Sequence, residues 1–304
     1  MPLRLYYCDH HEIPLPPGHK FPVRKYRLLR EALAGDGAFV LEPAPAADLD
    51  TIALVHDAEY VRRFGEGSLD PVVQRRIGFP WSEGLVRRTL GSVGGTLSAA
   101  RDALEFGIGG GLAGGTHHAF RSEGAGFCVF NDIAVAIAAL GLRASIIDLD
   151  VHQGDGTAKI FENDSNVFTI SVHGRNNFPF RKQVSKLDID LPDGTGDEEY
   201  LEILPGAILR AFEFRPEIVF YQSGVDGLAS DKLGRLGLTH AGLKRRDEMV
   251  IGECLRRRVP CVITLGGGYS EPIELTVEAH ANTFRTAARF YSKYSSELKN
   301  SLNV

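Results

Sequence analysis

Two short segments have apolar residues at consecutive positions, and they limit what this chain can fold into more than any other feature. They are "SIIDLD" at residues 145–150 and "EIVFYQ" at residues 217–222. A strand with apolar side chains on both faces is buried on both faces, so it lies in the middle of a parallel sheet. Such a sheet needs helices on each side, and the chain has to supply them between its strands.

Apolar strand-like segments alternate with helical periodicity along the chain. Strands are predicted at residues 2–7, 38–40, 52–55, 145–150, 167–172, 217–223 and 261–265. Helices are predicted at residues 22–34, 57–64, 83–106, 129–141, 197–212, 240–257 and 275–297. The glycine-rich segment 105–120 is predicted to be a loop system with another short strand. This pattern predicts one α/β domain over residues 1–304: a single open, mostly parallel, doubly wound sheet with helices on both faces.

Charge, hydropathy and cysteine usage exclude several classes of function. The formal net charge of −5 gives no electrostatic support for binding nucleic acid. The longest apolar run, residues 133–142, is about half of what a membrane helix needs, and the first residues are too polar for a signal peptide. The four cysteines form no C-x-x-C pair: Cys8, Cys128, Cys254 and Cys261. Such scattered cysteines fit a reducing compartment, so we expect a cytoplasmic protein without a membrane partner.

Polar side chains follow the predicted strands at the edge where open α/β sheets bind their ligands. Asp150 and His152 lie two positions apart, so in an extended backbone both point to the same side. Asp226 follows strand 217–223 and could reach them. Two carboxylates and one imidazole predict a three-ligand metal site with an open position, which is typical of catalytic rather than structural zinc. Taken alone, Asp226 could instead be a helix N-cap.

Four separate motifs resemble one known family. They are "GTHHAFRSEGAGFCVFNDIAVA", "IIDLDVHQGDGT", "SGVDGLASDKLGRLGLT" and "TLGGGYS". They resemble the zinc-dependent histone deacetylase family, which includes bacterial acetoin-utilisation proteins and acetylpolyamine amidohydrolases. The resemblance covers roughly residues 3–290 in the family's motif order and implies the arginase/deacetylase fold. The segments "HHEIPLPPGHKFPVRKY" and "VHGRNNFPFRKQ" are most similar to the class IV branch and its bacterial relatives.

The resemblance implies two kinds of metal ion, zinc and potassium. Asp150, His152 and Asp226 match the family's zinc ligands. A potassium ion is implied beside the zinc, with Asp148 and Ser171 among its ligands. One zinc per chain is therefore expected, with potassium in a structural role.

The resemblance also implies the groups that handle protons. His117 and His118 match the tandem histidines beside the attacking water. Asp148 and Asp155 match the carboxylates that hydrogen-bond those histidines, and Tyr269 matches the tyrosine that polarises the substrate carbonyl. We expect His118 to be the principal general base and His117 to support charge in the transition state.

The substrate-binding residues implied by the resemblance form a tunnel for the acylated amine. Gly126 and Phe127 match one wall. The facing aromatic residue is either Phe178 or Phe180, and the sequence leaves that choice open. Gly267, from the glycine run before Tyr269, is included among the substrate-binding residues.

The chain departs from the family's pattern around the substrate. Thr116 stands where many members have an aromatic residue, which leaves the shape of the inner acyl pocket open. The segment "RRIGFPWSEG" lacks the aspartate with which many members hold the substrate backbone. Segment 173–188 is either a solvated basic face or a positive rim that favours neutral or acidic acylated substrates. Its basic residues are Arg175, Arg181, Lys182 and Lys186.

The expected function is a zinc-dependent amidohydrolase that removes an acetyl or longer acyl group from a lysine-like amine. Three alternatives remain at this point: a deacetylase of a small-molecule acetylamine, a ureohydrolase of the same fold, and a non-catalytic module that binds acyl-lysine. A ureohydrolase would need two manganese ions with additional Asp and His ligands. The oligomeric state, the acyl chain length and the carrier of the amine are left open.

Overall fold

Eight strands form one sheet in the computed structural model, which describes residues 2–302 and the side chains of residues 2–293. The strands are β1 (Leu3–Tyr7), β2 (Phe39–Pro43), β3 (Ile108–Gly111), β4 (Ala144–Asp148), β5 (Val167–Gly174), β6 (Leu187–Leu191), β7 (Ile218–Gln222) and β8 (Cys261–Thr264). Their order across the sheet is β2-β1-β3-β8-β7-β4-β5-β6, and every pair is parallel. The predicted open parallel sheet is confirmed.

Helices cover the sheet because each parallel connection has to cross back over one face. They are α1 (Arg24–Leu33), α2 (Leu49–Ala53), α3 (Ala58–Glu66), α4 (Pro71–Ile77), α5 (Glu83–Phe106), α6 (Asp132–Leu140), α7 (Asp155–Ile160), α8 (Asp197–Glu213), α9 (His240–Arg257) and α10 (Ile273–Leu302). None of the helices within residues 2–302 is both long and apolar enough to cross a bilayer.

The core is split by the sheet into two layers. In β4, Ile146 packs with α5 and α6 residues, whereas Ile147 packs with α8, α9 and α10 residues. Both side chains are essentially unexposed. This explains why the central strands are apolar at consecutive positions, and it confirms helices on both faces.

The predicted bounds of α5 and α9 agree with the structure because local capping signals mark them. Ser82 accepts a hydrogen bond from the Leu85 amide at the start of α5, and Gly107 ends it with a φ of 89°. Thr239 caps α9 in the same way through the Gly242 amide.

The predicted strand at residues 52–55 is wrong. This segment, "IALV", contains the end of α2 and the turn after it. Asp48 caps α2 by accepting from the Thr51 amide, and the apolar Ile52 is buried as a helical residue. A short apolar run does not distinguish a strand from a buried turn of helix.

One strand and two short helices had no sequence prediction. β6 is an edge strand with exposed acids at alternate positions, so it lacks the continuous apolar pattern of the central strands. α4 and α7 have seven and six residues, too few for helical periodicity to appear.

Candidate metal centre and active site

Two carboxylates and one imidazole converge beyond the carboxyl ends of β4 and β7. One ligand atom each from Asp150, His152 and Asp226 lie within 4.8 Å of one another. Nδ1 of His152 is 2.9 Å from Oδ2 of Asp226 and 3.1 Å from Oδ1 of Asp150. The interpretation of Asp226 as a helix N-cap is wrong, because its Oδ1 accepts from the Val151 amide and no helix begins there.

A bound cation would stabilise the buried carboxylates of this cluster. Asp226 is completely buried, and burial together with the Asp150 carboxylate raises the pKa of Asp226 to about 7. Burial acts to lower the pKa of His152, but Asp226 and Asp150 outweigh it and raise that pKa to about 10. Two oxygen donors and one nitrogen donor fit zinc, and a dication between them would offset the mutual repulsion of the carboxylates.

The glycine run after β8 is the floor of this cluster. The Gly267 amide donates to Oδ2 of Asp150 at 2.7 Å. A Cβ at Gly267 would lie 1.9 Å from Oδ2 of Asp226. Gly267 therefore supports the carboxylates, and its role in substrate binding stays a prediction.

The tandem histidines each meet a buried carboxylate. Nδ1 of His117 is 2.7 Å from Oδ2 of Asp148, and Nδ1 of His118 is 2.6 Å from Oδ1 of Asp155. The two imidazole centroids lie 4.1 Å apart. Because Nδ1 is taken in both rings, Nε2 is the nitrogen left to face a substrate.

The pKa values of His117 and His118 are shifted in opposite directions. Burial acts to lower the pKa of His117, but Asp148 and Asp150 outweigh it and raise that pKa to about 9. Burial and the charge of His117 lower the pKa of His118 to about 4, although Asp155 opposes this. A dication among the metal-ligand carboxylates would work against the raised pKa of His117.

A buried aspartate fixes the loop that carries the histidines. Asp132, the first residue of α6, accepts from the amides of Gly115 and Thr116 at 2.9 and 2.8 Å. The Thr116 hydroxyl donates to the same carboxylate at 2.6 Å. The small Thr116 side chain is thereby held towards α6, away from the imidazoles.

A tunnel of about 400 Å³ leads from the surface to these groups. His118, His152 and Tyr269 line its inner end, and Gly126 and Phe127 form one wall. Phe127 has a φ of 66°, an uncommon conformation for an aromatic residue that clusters at functional sites.

The wall opposite Phe127 shows whether Phe178 or Phe180 faces it across the tunnel. Phe178 packs edge-on against His118 with centroids 4.9 Å apart. Phe180 also borders the tunnel but is 86% exposed, so it lies at the mouth. Phe178 is therefore the facing aromatic residue of the tunnel itself.

Tyr269 stands over the metal-ligand cluster. Its ring centroid is 6.3 Å from that of His152 and 6.4 Å from that of Phe127. Its amide donates to Oδ2 of Asp231 at 2.6 Å. Burial and the nearby carboxylates raise the pKa of Tyr269 well above its usual value, so its hydroxyl stays protonated and can donate.

The basic residues of segment 173–188 are not among the residues that line the tunnel, and the choice between a solvated basic face and a positive rim stays a prediction. Arg175 pairs with Asp190, and Lys186 donates to the Glu162 carbonyl. Lys182 donates to the carbonyl oxygens of Asn177 and Pro179. The basic residues at the mouth are instead Arg76 and Arg235, which pair with Glu123 and Asp193.

Ser171 lies beside Asp148 on adjacent strands, as the register of β4 and β5 pairs these two residues. Its hydroxyl is 3.0 Å from Nδ1 of His173. Potassium binding at this position stays a prediction.

Two residues of the site had no sequence prediction. Lys25, from α1, donates to the carbonyl oxygens of Gly266 and Gly268 at 3.1 and 3.4 Å. Asp231 holds the Tyr269 amide and lies within the quoted motif "SGVDGLASDKLGRLGLT", which was the available signal for it. Lys25 lies within the segment "HHEIPLPPGHKFPVRKY", but nothing local indicates its partner, since it contacts a loop 241 residues away.

The parallel sheet and the polar cluster at its carboxyl edge define an α/β protein of the arginase/deacetylase fold. Similarity to known proteins identifies the family within this fold class. The family model for the histone deacetylase domain matches residues 19–284. The chain belongs to the histone deacetylase family.

Individual relatives agree with this assignment. The chain is 44% identical to an uncharacterised protein of Picosynechococcus sp., over 94% of this chain and 98% of the relative. It is 31% identical to histone deacetylase 2 of Arabidopsis thaliana, over 83% of this chain and 70% of the relative. The crystal structure of the HDA15 HD domain has the same fold, with a TM-score of 0.75 at 22% identity over 100% of this chain and 99% of that one. Family membership supports a hydrolase of the deacetylase type.

Proposed function

We propose that this protein is a zinc-dependent amidohydrolase that removes an acetyl or longer acyl group from a lysine-like amine. The observation that carries the proposal is the convergence of three elements at the inner end of one tunnel. These are a three-donor metal-ligand cluster, two histidine–carboxylate pairs and a protonated tyrosine. An amide needs both a stronger nucleophile than water and a polarised carbonyl, and this set of groups supplies both.

Asp150, His152 and Asp226 would hold the zinc ion. When bound, zinc supplies Lewis acidity that acidifies a water molecule and polarises the carbonyl. The tunnel walls, Phe127 and Phe178, exclude bulk water and hold the amine's aliphatic chain between two aromatic faces.

Proton transfer falls to His118. Its Nε2 is free, it lines the tunnel, and its lowered pKa leaves the ring neutral and ready to accept a proton. Asp155 orients the ring through Nδ1. His117, which does not line the tunnel, supports developing charge from behind.

Tyr269 would donate its hydroxyl proton in a hydrogen bond to the carbonyl oxygen as negative charge develops there. Lys25 and Asp231 hold the segment that carries Tyr269, through the carbonyls before it and its own amide. We also propose a potassium ion near Asp148 and Ser171, which would stabilise the ends of β4 and β5.

The test is elemental analysis of the purified protein together with a fluorogenic acetyl-lysine assay. We expect one zinc ion per chain and hydrolysis that a chelator abolishes. Asp226→Ala should stay folded but lose zinc and activity, whereas Asp50→Ala, an exposed carboxylate on α2, should keep both. Full zinc occupancy in Asp226→Ala would overturn the assignment of the ligands.

The same measurements separate the alternatives. Two manganese ions per chain would favour a ureohydrolase. However, the described part of the chain holds one cluster of three or more His, Cys, Asp or Glu side chains close enough to share an ion. Zinc with tight acetyl-lysine binding but no turnover would favour a non-catalytic module. Turnover of acetylpolyamines above acetyl-lysine peptides would point to a small-molecule substrate.

A further inference from the structure

A second, inner cavity lies on the far side of Phe127 from the tunnel. Its volume is about 60 Å³, several times the roughly 10–15 Å³ that one water molecule requires. Phe127 belongs to the walls of both spaces. The inner wall also carries Thr116, beside the tandem histidines, and the side chains of Tyr26 and Arg88.

Arg88 is a buried cation without a counter-ion. Its side chain belongs to α5, and the residue is only 6% exposed. It donates to the Cys8 carbonyl at 3.2 Å and stacks over the Tyr26 ring at 4.3 Å. No carboxylate within residues 2–293 forms an ion pair with it. A buried guanidinium is costly unless an anion pairs with it.

The nearby acids are already engaged elsewhere. Asp132 accepts from Thr96 and Thr116, and Asp9 pairs with Arg30. A second buried cation, Lys25, lies on the same side, and Arg88 repels it. Lys25 is also attracted by Asp226, Asp150 and Asp231, so Arg88 is the cation here for which the described residues supply no ion pair.

The cavity adjoins the candidate active site through Phe127, which it shares with the tunnel, and through Thr116, which precedes His117. Lys25 connects the two, because its ammonium lies 5.2 Å from the ring centroids of both Tyr26 and Tyr269. The far end of an acyl group whose carbonyl lies at Tyr269 would enter this cavity past Phe127 and Thr116, the two lining residues nearest the tandem histidines in sequence or in the tunnel wall. Thr116 leaves space there that a large aromatic side chain would fill.

We propose that the inner cavity is an acyl subsite in which Arg88 binds the terminal carboxylate of a dicarboxylic acyl group, such as succinyl or glutaryl. This inference rests on the proposed amidohydrolase function and names its substrate class. Two hydroxyl groups on the cavity wall, those of Thr89 and Ser92, supply further donors for the carboxylate. The planar guanidinium group can donate two hydrogen bonds to one carboxylate. Such charge-assisted hydrogen bonds are stronger than neutral ones.

The experiment compares acyl-lysine peptides of one sequence that differ only at the acyl terminus. Succinyl is compared with butyryl, and glutaryl with valeryl, because each pair has equal chain length. We expect kcat/KM of the wild-type protein to favour the carboxylate-terminated member about 10- to 100-fold, the range of a charge-assisted hydrogen bond. Arg88→Gln should abolish this preference while retaining activity on acetyl-lysine.

Arg87→Gln is the matched control. Arg87 is the adjacent residue on α5, but it is exposed and pairs with Glu83, so its replacement should leave the preference unchanged. Arg88→Lys keeps the charge and should retain part of the preference, which tests the proposal even if Arg88→Gln folds poorly.

Two results would contradict the subsite alone, and a third would contradict the proposed function and therefore the subsite too. Equal kcat/KM for succinyl and butyryl peptides, with acetyl-lysine hydrolysed, would overturn the subsite alone. An equal loss on all acyl groups in Arg88→Gln, with an unchanged succinyl-to-butyryl ratio, would make Arg88 structural. Absence of hydrolysis of every acyl-lysine by the zinc-loaded wild type would overturn the amidohydrolase and the subsite with it.

Discussion

The Tyr269 hydroxyl is one oxygen atom whose removal tests the proposed chemistry. The phenylalanine ring keeps the contacts with Phe127 and His152, and the Tyr269 amide bond to Asp231 does not involve the side chain. We expect Tyr269→Phe to bind zinc normally and to lose about 100- to 1,000-fold in kcat, the usual cost of one oxyanion donor. Turnover within a factor of about two of wild type would show that the hydroxyl has no such role.

The two histidines offer a comparison of matched substitutions. His118 lines the tunnel and His117 does not, so we expect His118→Ala to lose more activity than His117→Ala at equal zinc content. Rates should be measured across pH, because zinc-bound groups titrate together with the histidines. A larger loss in His117→Ala would reverse the two roles.

Gly267 tests the steric argument for the glycine run. In Gly267→Ala the new methyl group would meet Oδ2 of Asp226 at 1.9 Å, so a metal ligand has to move. We expect zinc affinity to fall and the protein to be destabilised by about 1–3 kcal/mol, as for overpacking of a core. Gly206→Ala in α8 is the control, since nothing lies within 4 Å of its Cβ. That change should be neutral or stabilising by about 0.5–1 kcal/mol, because alanine favours a helix.

The role of a residue could be predicted from the sequence when local sequence marks its position, and could not when it depends on a partner far away in the chain. Asp150, His152 and Asp226 could be predicted because each lies at the end of a recognisable strand. Arg88 could not, because its acceptor, the Cys8 carbonyl, is 80 residues away and its meaning depends on a cavity. The same applies to Gly267, whose role depends on which carboxylates the fold brings beneath it.

At the scale of elements, the hydrogen bonds of a buried ion pair within α9 tie this helix to the segments that follow β4 and β7. Arg246 is completely buried and donates to Oδ1 of Asp247 at 2.8 Å. Its other donors reach the carbonyl oxygens of Gly224 and Ser223 at 2.5 and 3.2 Å. These carbonyls belong to the loop that carries Asp226.

We therefore expect Arg246→Met to be strongly destabilising. It leaves Asp247 as a buried charge without its cation, which typically costs about 3–5 kcal/mol. The double variant Arg246→Met/Asp247→Leu should recover part of that loss, although Asp247 also accepts from Tyr221 and Thr283. Urea unfolding of the three proteins measures this, and zinc affinity reports whether the Asp226 loop has shifted. A single variant as stable as wild type would show that the pair contributes little.

Elements were predictable where a periodic pattern or a cap marks them. The central strands carry an apolar pattern and α5 carries both a pattern and a cap, and their predicted positions agree with the structure. β6 lies at the sheet edge and β3 is a four-residue segment that is three-quarters glycine, so neither has a strong strand pattern. The tunnel mouth depends on loops between elements, so the sequence did not indicate that Arg76 and Arg235 supply its lining basic residues.

At the scale of the whole molecule, stability should depend on pH through His56, which lies far from the metal-ligand cluster in sequence. His56 is 2% exposed, and its Nε2 accepts from the Asn131 amide at 2.9 Å. Asn131 in turn caps α6 through the Ala134 amide. A protonated His56 cannot accept that bond. Burial lowers its pKa from 6.5 to about 4 in the folded protein.

The sign of the effect follows from proton binding. Between pH 6.5 and about 4 the unfolded chain binds a proton at His56 and the folded chain does not. Acid therefore favours unfolding, and the contribution of His56 is fully present above pH 6.5 and falls by about 3 kcal/mol by pH 4. Urea unfolding of metal-free protein from pH 7.5 to pH 4.5 should show this decline, and His56→Gln, which keeps one donor and one acceptor without titrating, should show a smaller one. Parallel slopes for the two proteins would mean that other groups account for the acid sensitivity, and that the cap of α6 tolerates a charged imidazole.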